Sequence, residues 1–182
     1  GLQRALKTAA TIDGVLMITA SEAFSKRNTN KAISETLTTV PAWIEAYRKA
    51  NISVDQIVLL ATFGCNFEGV VELSRVLNIL QTTMDIAKEH GETIRKVKLC
   101  DTMGWANPEQ IKRTIYAVWD KWPELKIILH LHDTRGLGIA NAYAALQEGV
   151  TDFESAVGGL GGCPFAAVKG APGNIATEDL VF

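Results

Sequence analysis

The chain has 182 residues, 47% of them hydrophobic and 21% charged, with 18 Lys and Arg against 20 Asp and Glu for a formal net charge of -2. That balance suits a single globular core rather than a disordered chain, and without a basic stripe it argues against nucleic acid or an anionic membrane surface as partner. No apolar run approaches the roughly 18–20 residues needed to span a bilayer. The opening GLQRALKTAATIDG has no secretory layout, and the odd cysteine set Cys65, Cys100 and Cys163 fits a reducing compartment, so the expectation is a soluble cytoplasmic protein without a disulfide framework.

In chain order, a Val/Ile/Leu-type strand is predicted at Gly14–Thr19, followed by an amphipathic helix over Lys31–Ala50. The pattern then repeats: strand Gln56–Ala61 with helix Gly69–His90, and strand Lys96–Cys100 with helix Asn107–Trp122. Strand Lys126–His132 precedes helix Leu137–Gly149, and a last strand is predicted at Asp152–Val157. Asn107-Pro108 offers an N-cap with proline at the first helical position, and Gly149 stops the helix before it. The strands lack strict alternation, as in a parallel sheet covered on both faces. The tryptophans Trp43, Trp105, Trp119 and Trp122 read as packing residues, as do Cys65 and Cys100.

The polar and glycine-bearing segments fall just after the strand ends: Ser21-Glu22, Gly64-Cys65-Asn66, Asp101 to Gly104, His132-Asp133-Thr134, and Gly158 to Asn174. Loops in that position form the active face of a TIM (β/α)8 barrel. A doubly wound sheet also places its site at strand carboxyl ends, but no G-x-G-x-x-G follows the first strand. The fold predicted is therefore an α/β TIM barrel. A whole barrel has eight strands and about 250 residues, so this chain of about five βα units reads as a partial barrel, a single catalytic domain over 1–182 truncated at both ends.

Two features of the last third carry chemistry. His130 and His132, at i and i+2 on a strand, point to one face and can ligate one ion. Cys163 lies in the glycine-rich run Gly158-Gly-Leu-Gly-Gly-Cys-Pro164, and Asn174 offers a third ligand oxygen or, alternatively, a cap for the helix after it. Asp133 is placed to orient a liganding imidazole. Asp101 by itself reads as a turn residue near a helix start.

His130-Leu-His-Asp-Thr134, GLGGCPF and GNIATEDLV, in that order and spacing, resemble the 3-hydroxy-3-methylglutaryl-CoA lyase family. Ala20 to Asn28, Phe63 to Gly69 and Cys100 to Gly104 resemble the family's loops after strands four, five and six, so the likeness aligns nearly the whole chain with strands four to eight. It implies that His130, His132 and Asn174 hold Mg²⁺ or Mn²⁺. It further implies that Cys163, His130, Asp101 and Glu178 form the catalytic group, that the substrate is an acyl-CoA, and that the full-length protein is a homodimer, cytoplasmic or in the mitochondrial matrix. The reaction implied is a retro-Claisen cleavage to acetyl-CoA and acetoacetate.

Three departures stand out. The family's first-strand Arg-Asp-Gly segment, with the fourth protein ligand and a catalytic arginine, has no counterpart in this sequence. The loop from Cys163 to Asn174 is lengthened around Val168-Lys169, and Arg135 replaces the aromatic residue that often follows HDT. Rival readings are a related acyl-CoA lyase, a synthase of the isopropylmalate, citramalate or homocitrate type, and an inactive barrel fragment. GGCPF, where those synthases usually carry a Gly-Glu-Arg-type segment, favours a lyase.

Overall fold

Five apolar runs become parallel strands, and the punctuation between them sets where each begins. The computed structural model describes residues 2–166 and 172–182; the lengthened Val168-Lys169 stretch lies outside the described residues. A short helix α1 (Leu2–Ala5) precedes strand β1 (Gly14–Thr19), and helices α2 (Glu22–Thr29), α3 (Ile33–Leu37) and α4 (Val40–Arg48) lead to β2 (Val54–Leu60). A small hairpin, β3 (Gly64–Cys65) with β4 (Gly69–Val70), precedes α5 (Leu73–Glu89). Then come β5 (Lys96–Asp101), α6 (Pro108–Lys121), β6 (Lys126–Leu131), α7 (Gly138–Gln147) and β7 (Asp152–Glu154). Two 3-10 turns, Val157–Gly159 and Pro164–Ala166, and helix α8 (Thr177–Val181) complete the chain.

Strands β1, β2, β5, β6 and β7 form one sheet in chain order, each parallel to its neighbour. Sequential order is decisive. Right-handed crossovers that all step the same way place every connecting helix on one face, which is the arc of a β/α barrel, whereas a doubly wound sheet reverses direction. Leu16, Ile18, Ile57, Leu59, Val97, Leu99, Ile127, Leu129 and Leu131 face those helices and are buried in the main core.

The opposite face differs from the expectation of strands covered on both sides. Burial alternates along β5 and β6, with Lys96, Lys98, Ile128 and His130 only partly covered or exposed between buried neighbours. Period-two geometry puts these residues, with Glu154 of β7, on the inward face of the arc. The Lys-Val-Lys-Leu start of β5 already carries that alternation in the sequence.

Four other boundaries differ from the predicted ones. Pro41 sits in the first turn of α4, so Lys31–Ala50 is two helices rather than one; proline has no amide to continue a helix but fits its start. Ser21 begins the unpredicted α2, its Oγ accepting the Phe24 amide at 3.0 Å. Gly69, with φ of 81°, pairs in the β3–β4 hairpin rather than starting a helix. The last strand ends at Glu154, and Val157 already belongs to a 3-10 turn.

Helix α6 starts as predicted. Asn107 Oδ1 accepts the Gln110 amide at 2.9 Å, Gln110 Oε1 accepts the Asn107 amide at 3.1 Å, and Pro108 follows the cap. Replacing Asn107 with Ala is expected to destabilise the fold by about 1 kcal/mol and Asn107→Gly by only a few tenths, read from urea midpoints. Equal losses for both would show that the cap is not what holds this end.

Candidate metal and thiol site

The chain's last segment returns between the ends of β6 and β7 and closes the site by backbone pairing. His132 and Asn174 form an antiparallel bridge, Ile175 N–H donates to Leu131 O at 3.2 Å, and Asp133 N–H donates to Gly173 O at 2.7 Å. On the other side Ala156 pairs with Ala176. The approach is close enough to require glycine: a Cβ on Gly173 would lie 1.6 Å from Gly161 O, and one on Gly161, at φ of 90°, would meet Asn174 Nδ2 at 2.9 Å.

This brings together the three residues expected to share an ion. His130 Nε2 and His132 Nε2 are 3.1 Å apart, their rings edge to face at 63°. Asn174 does not cap a helix, since α8 begins after Ala176. Its Nδ2 donates to Leu160 O at 2.6 Å, and its Oδ1 is buried with no hydrogen-bond partner among the described residues, as is His132 Nδ1. Buried polar atoms without partners are rare and mark a place where another group belongs. Two imidazole nitrogens and an amide oxygen suit a divalent cation that takes nitrogen and oxygen ligands. Among the described residues no cluster of three or more His, Cys, Asp or Glu forms a metal cage, so a site here would draw on the asparagine oxygen.

Electrostatics keep the pair ready to ligate. Burial, reinforced by the neighbouring His130, pulls the His132 pKa down to about 4. Burial also lowers that of His130, although Glu154 works against the shift. Neutral imidazoles keep lone pairs available at neutral pH.

The carboxylate that orients a histidine is Glu154, not Asp133. Glu154 Oε2 lies 3.0 Å from His130 Nδ1, and its other oxygen pairs with Lys98 Nζ, so the interaction runs from β5 through β7 to β6. Asp133 Oδ1 instead accepts the Gly138 amide at 2.7 Å and fastens the start of α7. Sequence reasoning missed Glu154 because it is far from His130 in the chain; the usable signal is its inward position on β7, in register with His130.

Asp101 and Glu178 brace loops. Asp101, almost fully buried, accepts the Trp105 and Ala106 amides at 2.7 and 3.1 Å, and burial pushes its pKa up to about 6. Exposed Glu178 takes the Gly158 amide on both oxygens at 3.0 Å, which lowers its pKa and anchors the glycine turn. Cys163 is half-buried and packs against the apolar cluster of Phe24, Ala61, Cys65 and Met103. Burial raises its thiol pKa, against the pull of the Phe165 and Ala166 amides, and holds the group protonated.

Cys65 and Cys100 pack as expected. Cys65 Sγ lies 3.0 Å from Ser21 Oγ, and burial pushes the Cys100 pKa up to about 12. Trp43, Trp119 and Trp122 border the main core, whereas Trp105 packs against the second cluster, as Cys163 does.

The fold and site therefore define a partial α/β barrel with polar chemistry gathered at the carboxyl ends of its strands. The chain belongs to the HMGL-like family, which it matches over residues 1–182. It is 36% identical over 182 residues to the hydroxymethylglutaryl-CoA lyase YngG of Bacillus subtilis, a match covering 100% of this chain and 58% of that protein. It is 39% identical over 166 residues to (R)-citramalyl-CoA lyase of Chloroflexus aurantiacus, covering 91% of this chain and 50% of the relative. Among solved structures, an HMG-CoA lyase from Acinetobacter baumannii in complex with coenzyme A and 3-methylmalate superposes with a TM-score of 0.81 at 35% identity, over 100% of this chain and 56% of that one. The chain thus spans between half and three fifths of the length of these lyases. No helix among the described residues is long and apolar enough to cross a membrane.

The depressed His132 pKa has a sign that can be checked. A histidine whose folded pKa lies below the unfolded 6.5 contributes stability above that pH, and loses it as pH falls toward about 4. In metal-free protein the His132 ring Cε1 proton should titrate near 4 by NMR, and a midpoint near 6.5 would show that the ring is not desolvated.

Proposed function

We propose that this chain carries the metal-binding and thiol half of a divalent-metal-dependent lyase that cleaves 3-hydroxy-3-methylglutaryl-CoA to acetyl-CoA and acetoacetate. The observation that carries the reading is the meeting of His130 Nε2 and His132 Nε2 at 3.1 Å where Asn174 bridges to His132, its buried Oδ1 without a partner among the described residues. Support comes from the relatives, whose names specify cleavage of acyl-CoA esters.

His130, His132 and Asn174 would hold the ion, with Glu154 fixing the ring of His130 from behind. When bound, Mg²⁺ or Mn²⁺ supplies positive charge that polarises substrate oxygens and favours the alkoxide. As the alkoxide collapses to a ketone, the bond between C2 and C3 breaks and its electron pair becomes a thioester enolate. The protonated Cys163 thiol delivers a proton to C2 of that enolate, which yields acetyl-CoA and prevents recombination. Protons balance over the cycle: the one lost by the substrate hydroxyl replaces the one that Cys163 gives up. A thiol kept protonated by burial suits this acid role better than a nucleophilic one.

The 39% identity to a citramalyl-CoA lyase makes a different acyl tail the second reading, because the same bond cleavage serves both substrates. The discriminating assay measures acetyl-CoA release with Mg²⁺ or Mn²⁺ from both esters, using this chain alone and this chain fused to the portion of the Bacillus subtilis enzyme that the match leaves uncovered. Turnover of the hydroxymethylglutaryl ester by the fusion, reduced about 10²–10⁴-fold by Cys163→Ala, is the expected result. Turnover of the citramalyl ester alone would reassign the tail, and full activity of the alanine variant would remove Cys163 from the mechanism.

Metal binding is separately measurable. Glu154→Gln should weaken Mn²⁺ binding by roughly 10–100-fold in an EPR titration of free Mn²⁺. Unchanged affinity would show that the ring of His130 needs no carboxylate behind it.

A further inference from the structure

A second polar cluster joins four loops at the same end of the sheet. Asn66, between β3 and β4, donates through Nδ2 to the carbonyl oxygens of Phe165 and Ala166 at 3.1 and 2.7 Å. Those residues form the 3-10 turn that begins directly after Cys163, and the Ala166 amide donates back to Cys163 O at 3.0 Å. Asn66 Oδ1 accepts from Trp105 Nε1 at 2.8 Å and faces Arg135 Nη2 at 3.5 Å. Arg135, the residue that departs from the family's aromatic, donates to Met103 O and Gly104 O at 2.7 and 2.8 Å, with its guanidinium 5.3 Å from the centre of the Trp105 ring.

An apolar anchor acts on the same turn. The Phe165 ring stands edge-on to Phe24 at 5.8 Å and to Phe67 at 5.9 Å. The turn is therefore held at two kinds of contact, aromatic packing on its side chain and hydrogen bonds on its backbone. A primary amide can donate to two carbonyls while its oxygen accepts from an indole and a guanidinium. Aspartate has the same shape but would set a charged acceptor against two carbonyl oxygens, and alanine would leave those carbonyls without Asn66's donors.

We infer that Asn66 is a positioning residue for Cys163: its side chain ties the cysteine turn to the loops after β2, β5 and β6 and so fixes where the thiol sits. The consequence for catalysis rests on the reading of Cys163 as the proton donor; the positional claim does not.

The test is the alkylation rate of each cysteine by iodoacetamide at pH 8, followed by peptide mass spectrometry, in this chain and in its Asn66→Ala and Asn66→Asp variants. Cys65 and Cys100, 0% and 2% exposed, report whether the fold has loosened. Cys163 should react about tenfold faster in Asn66→Ala, with a rise also in Asn66→Asp, while Cys65 and Cys100 stay protected. An unchanged Cys163 rate in both variants overturns the inference, as does a parallel rise at all three cysteines, which would mark a merely structural role. In the fusion described above, Asn66→Ala should lower kcat about tenfold with little change in KM. Faster labelling with no effect on kcat would keep the positional claim and remove the proton-donor reading.

Discussion

The site depends on one backbone contact: the segment around Asn174 pairs with His132 on one side and, through Ala176, with Ala156 on the other. Strand β6 alone brings two imidazoles to one face. It cannot bring an amide oxygen to them, because the third residue lies more than forty positions further along the chain. The return of the chain supplies it, and the same return carries Glu178 to the Gly158 amide. Glycine permits this geometry, since the Gly161 carbonyl occupies the space that a side chain on Gly173 would need. An alanine at Gly173 would therefore shift Asn174 against His130 and His132 without replacing any of the three.

Charge on the inward face is organised around the same point. Lys98 and Glu154 neutralise each other beside His130, and Lys96–Asp55 at 2.9 Å and Lys126–Asp152 at 2.6 Å pair lower on the strands. Partly buried charges are costly alone and tolerable in pairs. Burial then sets the protonation of the two imidazoles. Glu154 is central to this arrangement because its two oxygens face different partners, one cationic and one aromatic nitrogen.

Features written in local sequence were legible, and features made by tertiary register were not. β1 lies where its apolar run predicts, and Asn107-Pro108 caps α6 as read. The i, i+2 spacing of His130 and His132 does place both rings together. Pro41 and Ser21 were local signals that a longer periodic run obscured, so α3 and α4 merged and α2 went unseen. Glu154 belongs to the other kind. Its strand has three residues, its lysine partner lies 56 positions away, and only the register of β6 against β7 sets it beside His130. Asp133 looked like the better candidate because it adjoins His132, yet a nearby helix amide satisfies it first, as short carboxylates at helix starts commonly do. Asn66, Trp105 and Arg135 give no joint signal in the sequence, because their meeting depends on three separate strand ends converging.

The two halves of the site are supported by different physics, and the division suits what each must do. The imidazoles stand at the end of an interior strand flanked by hydrogen-bonded neighbours, and Asn174 lies in a strand-like bridge to it. Side chains carried on a backbone fixed by ladder bonds resist displacement, which is what the proposed coordination would require. Cys163 stands on a short turn between a run of left-handed glycines and the aromatic anchor of Phe165. Its position is set by side-chain contacts to neighbouring loops rather than by the sheet. Such contacts are individually weak, so the thiol's position can change through loop residues while the histidine pair stays in place. Arg135 shows that separation: its guanidinium engages the Met103 and Gly104 carbonyls of a neighbouring loop, while His130 and His132 keep their own contact at the strand end.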